Sequence, residues 1–206
     1  IPTSWSNPTA DAPAKKLTGR PETVKMVKEM MEPIEIMDGD SLPVSTFVDN
    51  ADGQFELGAS AYEKRGTAVS VPEWNPEACI QCNQCAFVCS HATIRPFLVS
   101  EDEIKAAPDN MKVADTKPKA SEYKFTMSVS PLDCMGCGEC ITVCPAAAKG
   151  ALKMVPQESQ AAEQPVFDYL VATVGRKPGA PADTTVKGSQ FNQPLLVDSK
   201  SCAAHF

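Results

Sequence analysis

Residues 79–89 read CIQCNQCAFVC, and residues 134–144 read CMGCGECITVC. In each stretch four cysteines follow one spacing, C-x2-C-x2-C-x3-C, and together they account for eight of the nine cysteines in the chain. Three thiolates spaced in this way on a looping backbone can each bind a different iron atom of one cubane. The fourth cysteine, after a longer gap, binds the neighbouring cluster. The repeated spacing therefore predicts two four-iron, four-sulfur clusters.

The predicted ligand sets are crossed between the two stretches. The first 4Fe-4S cluster (cluster 1) takes Cys79, Cys82, Cys85 and Cys144. The second 4Fe-4S cluster (cluster 2) takes Cys134, Cys137, Cys140 and Cys89. Because each cluster would join both halves of the chain, folding and cluster binding should be coupled. A change at Cys144 or Cys89 should damage the cluster whose other ligands lie far away in sequence.

Other uses of these cysteines fit the pattern less well. Disulfides require an oxidising compartment, and no signal peptide is recognisable in the sequence. Zinc sites use pairs of C-x2-C rather than a triplet with a trailing fourth cysteine. Cysteines kept as thiolates for iron favour a reducing, cytoplasmic compartment. A purely structural metal module is the alternative that iron and sulfide analysis would exclude.

The composition argues against several classes of protein. The 206 residues carry a formal net charge of −7, so a basic nucleic-acid-binding surface is not expected. No apolar run approaches the ~20 residues of a membrane span, so no membrane partner is expected either. With 18 prolines and 6% aromatic residues, looped and extended segments are favoured over one large core. Because the chain opens with Ile1-Pro2, we consider a fragment or a processed polypeptide.

Around each cysteine stretch the sequence predicts a strand, the cysteine loop, a short helix and a second strand. The four strands are expected at residues 67–71, 94–99, 124–129 and 151–155. This repeat predicts an α+β fold with a ferredoxin-like, pseudo-twofold core that binds two 4Fe-4S clusters. Long irregular N- and C-terminal extensions are expected on either side of the core.

The expected organisation has three parts. Residues 1–66 form an N-terminal arm or linker with one short helix, residues 67–156 the ferredoxin-type domain, and residues 157–206 an extended C-terminal tail. An insertion at about residues 100–121 separates the two halves of the domain. In the arm, Pro21 can open a helix at its first position, and Pro33 is expected to end it.

The two cysteine loops differ around their second cysteine. Gly136 and Gly138 flank Cys137, and glycine lets backbone amides approach cluster sulfurs closely. Gln81 and Asn83 occupy the matching places in the first stretch. The two clusters should therefore have different surroundings and different potentials. Four apolar residues are expected to keep water out: Ile80, Phe87, Ile141 and Val143.

Three further residues are weaker candidates for metal binding. His91 follows the first stretch, but a surface or capping role is expected because each cubane already has four thiolates. Cys202 and His205 form a C-x2-H pair, which is either a metal site or, as we expect, an unpaired thiol beside a histidine.

Several motifs lie outside the cysteine spacing: AYEKRG at residues 61–66, VPEW at 71–74, SPLDC at 130–134 and QPL at 193–195. Together with residues 79–89 they resemble pyruvate:ferredoxin (flavodoxin) oxidoreductase, also called pyruvate synthase, over about residues 20–195. This family of large anaerobic enzymes decarboxylates pyruvate on thiamine diphosphate and transfers the acetyl group to coenzyme A. Electrons leave one at a time through three 4Fe-4S clusters to ferredoxin or flavodoxin.

The resemblance implies that this chain is the section holding the two clusters farther from the thiamine. Its partners would be the other domains of a homodimeric parent oxidoreductase, and ferredoxin or flavodoxin as acceptor. No catalytic residue is expected in the chain itself. In the family a glycine-rich C-x2-C pair follows the QPL motif, whereas here Cys202 is followed by His205. Thiamine diphosphate, Mg and a third 4Fe-4S cluster are therefore expected only if the missing family domains are present elsewhere.

A free-standing ferredoxin with two 4Fe-4S clusters is the alternative function. Such a carrier diffuses between enzymes and needs neither of the long arms at residues 1–70 and 156–206. The arms therefore favour a section of a larger oxidoreductase.

Overall fold

The computed structural model describes residues 17, 19–56, 59–117 and 122–192. The chain divides into two compact units, Ile1–Tyr62 and Glu63–Phe206, which are taken separately below. Cys202 and His205 lie outside the described residues. Within those residues, no helix has both the length and the apolar character needed to cross a membrane.

The first unit contains a helix that changes its winding in the middle. It runs as α1 (Pro21–Met26), a π-helical turn (Val27–Met31) and α2 (Glu32–Glu35). The prediction that Pro33 ends this helix was wrong. A proline inside a helix lacks an N–H and crowds the carbonyl four residues earlier. The π turn, in which the Glu32 N–H donates to the Val27 carbonyl oxygen, widens the helix just before Pro33 and lets it continue.

One face of this helix is buried inside the first unit. Met26 and Val27 pack with Ala59, and Leu17 and Tyr62 lie against them. Elsewhere in the described part of this unit, where irregular structure is expected, 3-10 turns occur at Gly39–Ser41, Val44–Asn50 and Ala59–Tyr62.

Among residues 63–117 and 122–192, two antiparallel sheets form the framework of the second unit. One pairs β1 (Ser70–Trp74) with β5 (Leu152–Pro156). The other has the order β2 (Ile94–Val99), β4 (Lys124–Val129), β3 (Ala114–Asp115). Strands β2 and β4 have the predicted bounds, whereas β1 and β5 begin later than the predicted strands at 67–71 and 151–155. In each sheet, a strand that flanks the first cysteine stretch pairs with one that flanks the second.

A short helix begins inside each cysteine stretch. These helices are α3 (Gln84–Val88) and α5 (Glu139–Thr142). They pack on a core of aromatic rings in edge-on contact. The ring centres of Trp74 and Phe125 lie 5.9 Å apart, and those of Phe125 and Phe191 lie 6.2 Å apart. Cys85 and Cys140 belong to the same buried cluster, so the cysteine stretches lie directly on the hydrophobic core.

The C-terminal segment is folded onto this core where an extended tail is expected. After the unpredicted helix α4 (Glu101–Ala106) in the insertion, the chain forms α6 (Glu163–Thr173) and α7 (Val186–Ser189). Val166 and Leu170 of α6 pack against Phe97 and Val99 of β2. Strand β2 is buried along its whole length, because it lies beneath α6 as well as in the core.

The insertion is also tied to the C-terminal segment. Ser100 and Glu103 form a capping box at the start of α4. The Tyr169 hydroxyl donates to the Glu103 carbonyl oxygen at 2.8 Å, and Lys177 forms an ion pair with the Glu103 carboxylate. The insertion and α6 are therefore joined by side-chain contacts across the second unit.

Candidate metal centre

Both cysteine loops turn through the left-handed backbone region at two matching positions. Gln81 and Asn83 have φ angles of 59° and 62°, and Gly136 and Gly138 have φ angles of 69° and 80°. A residue with a Cβ adopts the left-handed region at a cost in free energy that glycine does not incur. The two loops thus share one backbone shape, which the second achieves with glycine and the first with polar residues.

This shape directs an amide at the first cysteine of each stretch. The Gln81 N–H donates to Cys79 Sγ at 3.3 Å, and the Gly136 N–H donates to Cys134 Sγ at 3.4 Å. Amide hydrogen bonds to cysteine sulfur stabilise the thiolate and help to set the potential of a bound iron-sulfur cluster. The two loops therefore offer the same amide donor despite their different sequences.

The structure brings Cys144 to the first cysteine stretch. Burial raises the pKa of the Cys144 thiol, and the charges of Cys82 and Cys79 raise it further. The pKa of Cys85 is raised chiefly by burial and then by the charges of Cys79, Cys140 and Cys82. Because such charge effects between thiols are short-range, Cys144 lies near thiols that precede it by more than sixty residues.

Cys89 is grouped in the same way with the second stretch. Burial raises the pKa of Cys140 to about 12, with further contributions from Cys89, Cys134 and Cys137. The pKa of Cys134 is raised by burial, lowered by the Gly136 N–H and raised by Cys89. The eight thiols therefore form two groups, each with one member from the other stretch. Cys85 and Cys140 belong to one buried cluster, so the two groups adjoin.

The donor set fits iron-sulfur clusters chemically. All eight described cysteines are free thiols, and only Cys137 is exposed. Burial disfavours the thiolate form in the absence of a cation, and bound iron supplies that positive charge. Within the described residues, no three His, Cys, Asp or Glu side chains are arranged to hold a single metal ion.

Two cationic side chains that the sequence did not identify lie near the thiols. Burial lowers the pKa of Arg95 to about 10, and this is opposed by the negative charges of Cys89 and Asp133. Burial also lowers the pKa of Lys187, opposed by Cys82 and Cys79. A cation thus lies near each group of thiols, Arg95 from β2 in one case and Lys187 from α7 in the other.

The four residues that we expect to exclude water differ in burial. Ile80 is 48% exposed and Phe87 is 61% exposed, whereas Ile141 and Val143 are half-buried. Their shielding of the clusters stays a prediction. Cys85 and Cys140 are buried in one cluster with Trp74, Ile94 and other core residues contributed by the strands. A half-buried His91 places its Nδ1 3.1 Å from the Ser90 hydroxyl.

Comparison with known proteins agrees with this geometry. Residues 78–148 match the family described as the 4Fe-4S dicluster domain. The chain contains a 4Fe-4S dicluster domain. Residues 9–68 match a second family, EKR, which is described as a domain of unknown function. The predicted capacity for two iron-sulfur clusters is supported by the first of these matches.

The chain is also similar over nearly its whole length to larger oxidoreductases. It is 45% identical over 98% of its length to pyruvate-flavodoxin oxidoreductase of Klebsiella pneumoniae. It is 46% identical over 98% of its length to pyruvate:ferredoxin oxidoreductase of Moorella thermoacetica. Over 86% of its length it is 44% identical to pyruvate dehydrogenase (NADP+) of Cryptosporidium parvum. The chain spans 17%, 17% and 9% of these relatives. The predicted resemblance to pyruvate:ferredoxin (flavodoxin) oxidoreductases is confirmed.

Proposed function

We propose that this chain is the ferredoxin-type section of a pyruvate:ferredoxin-type oxidoreductase and carries single electrons through two 4Fe-4S clusters. The observation that carries the proposal is the grouping of the thiols. Cys144 lies with the thiols of the first stretch, and Cys89 with those of the second. This grouping agrees with the crossed ligand sets that the cysteine spacing predicts.

The topology supports a core of two similar halves related by a pseudo-twofold axis. Each half contributes a strand, a cysteine loop, a short helix and a second strand. The outer strands β1 and β5 pair with each other, and so do the inner strands β2 and β4. Each sheet thus takes one strand from each half, as an arrangement with crossed ligands requires.

When bound, the two clusters would supply one-electron redox centres. The chain's residues hold and surround them: eight thiolates provide the ligands, and the N–H groups of Gln81 and Gly136 donate toward sulfur. Core residues such as Trp74 limit the access of water. Arg95 and Lys187 place positive charge near the two ligand sets and offset their negative charge. No residue of the chain is assigned a catalytic role.

The two ligand sets adjoin, which supports electron transfer between them. Cys85 of the first set and Cys140 of the second are buried in one hydrophobic cluster, and the charge of one affects the pKa of the other. Close approach of two redox centres inside a core of low polarity suits electron hopping between them. The chain therefore has the arrangement expected of a short electron-transfer path.

The wider activity belongs to the proposed parent enzyme. There, pyruvate would be decarboxylated with thiamine diphosphate and Mg, and electrons would pass through this section to ferredoxin or flavodoxin in the cytoplasm. A third 4Fe-4S cluster and the homodimeric assembly belong to the same proposal. Its support is the similarity to relatives named pyruvate-flavodoxin and pyruvate:ferredoxin oxidoreductases.

Metal analysis of the anaerobically purified chain tests the central proposal. About eight iron and eight sulfide per chain are expected, with broad visible absorption that bleaches on reduction. Zinc, or iron without sulfide, would overturn the two-cluster proposal. The free-standing carrier is less well supported, because similarity to the oxidoreductases covers both extensions of the chain. Size-exclusion chromatography of the native source separates these functions, since a carrier elutes as a small protein and an enzyme section elutes with its catalytic domains.

A further inference from the structure

The first cysteine loop is anchored by two buried side chains at its left-handed positions. Gln81 and Asn83 are each only 1% exposed. The second loop has Gly136 and Gly138 at these positions, which adopt positive φ without a Cβ. Because glycine would make the same turn with less strain, the polar residues of the first loop need a further explanation.

Gln81 bonds to one remote segment through both ends of its amide. Its Nε2 donates to the Asp115 carbonyl oxygen at 2.7 Å, and its Oε1 accepts from the Lys117 N–H at 2.7 Å. From the same segment, Lys117 Nζ returns to the loop and donates to the Cys79 carbonyl oxygen at 2.7 Å. The end of the insertion is therefore fastened to the backbone of the first ligand residue.

Asn83 makes the corresponding bond to the C-terminal segment. Its Nδ2 donates to the Lys187 carbonyl oxygen in α7 at 2.8 Å. Lys187 Nζ in turn donates to the Lys117 carbonyl oxygen at 2.5 Å, which closes a ring of three chain segments. We call these five hydrogen bonds among residues 79–83, 115–117 and 187 the clamp.

We propose that Gln81 and Asn83 are positioning residues that couple the occupancy of cluster 1 to the docking of residues 186–192. The inference rests on the proposed two-cluster function. It adds a link between cluster 1 and residues 186–192 of the C-terminal segment. Phe191, at the end of that segment, packs against Phe125 in the core. Coupling is reciprocal: if cluster 1 holds the loop in shape and the loop holds α7, then loosening α7 weakens retention of cluster 1.

The first experiment replaces the anchors with the residue that the second loop uses. Both Gln81→Gly and Asn83→Gly keep the left-handed turn. The first removes two hydrogen bonds of the clamp and the second removes one. Gly138→Asn is the matched control. At Gly138 a Cβ would meet nothing within 4 Å, so that change adds a side chain where no clamp exists. Amide hydrogen exchange in the cluster-loaded chain is the readout, with α6 as the internal reference.

Loss of a buried hydrogen bond should speed exchange at residues 186–192 about tenfold in both anchor variants. Exchange in α6 should stay unchanged in those variants, and the control should leave residues 186–192 as in the wild type. Wild-type exchange at 186–192 in the anchor variants, or an equal increase in α6, would overturn the proposal.

The second experiment approaches the clamp from α7 and leaves the cysteine loop intact. The Thr185 hydroxyl caps α7 by accepting from the Gly188 N–H at 3.0 Å, so Thr185→Ala should loosen this helix. Iron release to a chelator should then become severalfold faster for cluster 1 and remain unchanged for cluster 2. The cluster 2 phase is identified as the one that persists in Cys144→Ala.

Thr173→Ala is the control, because Thr173 is exposed and bonds only locally to the Tyr169 carbonyl oxygen. Equal release rates for Thr185→Ala and the wild type would overturn the coupling. Metal analysis of the wild-type chain tests the proposed function separately. A wild type with both clusters but no response to either set of variants would refute the clamp alone.

Discussion

The guanidinium carbon of Arg95 lies 5.6 Å from the centre of the Phe167 ring, so a cation on β2 stacks on an aromatic side chain of α6. Arg95 is only 5% exposed, and its Nε donates to the Ala92 carbonyl oxygen at 2.5 Å. Ala92 has a φ of 50° and closes the turn that follows Cys89. One buried side chain thus joins α6 and β2 to the turn that follows Cys89, a proposed ligand of cluster 2.

Arg95→Met should therefore lower the stability of the cluster-loaded chain by about 2 kcal/mol, because it removes a stacked cation and a hydrogen bond to a buried turn. Urea unfolding under anaerobic conditions measures the change. Arg65→Met is the control: its partner is Glu63 and its side chain is 71% exposed, so an effect below about 0.5 kcal/mol is expected. Equal unfolding midpoints for the two variants would show that Arg95 does not hold the turn.

Crossed ligation predicts which pairs of cysteine substitutions overlap. Cys79→Ala combined with Cys144→Ala removes two ligands of cluster 1, so about half of the iron should remain. Cys134→Ala with Cys144→Ala should remove one ligand from each cluster and leave almost none. Iron and sulfide analysis of the two double variants measures how much of each cluster remains. If each stretch instead bound its own cluster, the iron contents of the two double variants would be exchanged.

The sequence predicted the parts of this fold that depend on local pattern. The cysteine spacing predicts eight ligands and their grouping, which stay predictions, and the apolar runs gave β2 and β4 at their observed bounds. The same local reasoning misjudged Pro33, where a π turn lets the helix continue. Residues 158–169 could be predicted to hold a helical turn, but α6 lies at Glu163–Thr173, within a segment that we expected to be extended.

The clamp could not be predicted because its partners are distant in sequence. Gln81 bonds to Asp115 and Lys117, and Asn83 bonds to Lys187, more than a hundred residues away. The available signal was local: polar residues stand where the second stretch has glycine. That contrast indicated different surroundings for the two clusters, and only the structure shows what those surroundings are. The burial of Arg95 could not be predicted either, because a single arginine in a strand gives no local signal of burial.

Glu103 allows a prediction about pH. Burial raises the pKa of its carboxyl group, but hydrogen bonds from Lys177 and Ser100 lower it more, so the net shift is downward from the ordinary value of 4.5. An acid with a depressed pKa in the folded state stabilises the fold above its unfolded pKa. That stabilisation is lost as pH falls through the folded value. Glu103→Gln should therefore cost about 1–2 kcal/mol at pH 7, because charge-assisted hydrogen bonds are removed.

The difference between the wild type and Glu103→Gln should be constant from about pH 8 to 5.5 and shrink as pH falls below 4.5. Urea midpoints measured for both proteins at each pH test this, since effects common to both cancel. Glu101→Gln is the control, because Glu101 is exposed in the same first turn of α4. A difference that persists unchanged at pH 4 would assign the effect to packing rather than to charge.

The second cysteine loop offers a comparison of two glycines with similar backbone but different space. At Gly136 a Cβ would lie 2.8 Å from the Ser70 carbonyl oxygen and 3.2 Å from the Ala68 Cβ, whereas at Gly138 it would meet nothing within 4 Å.

Gly138→Ala should cost about 1 kcal/mol from the left-handed backbone alone. Gly136→Ala adds a clash with the backbone at the first residue of β1, which must move the loop that carries Cys134 and Cys137. We expect Gly136→Ala to destabilise the chain more and to release the iron of cluster 2 faster, while cluster 1 keeps its wild-type release rate. Chelator kinetics and urea midpoints for the pair measure both effects. Identical behaviour of the two variants would mean that the close approach to Ser70 does not constrain the loop.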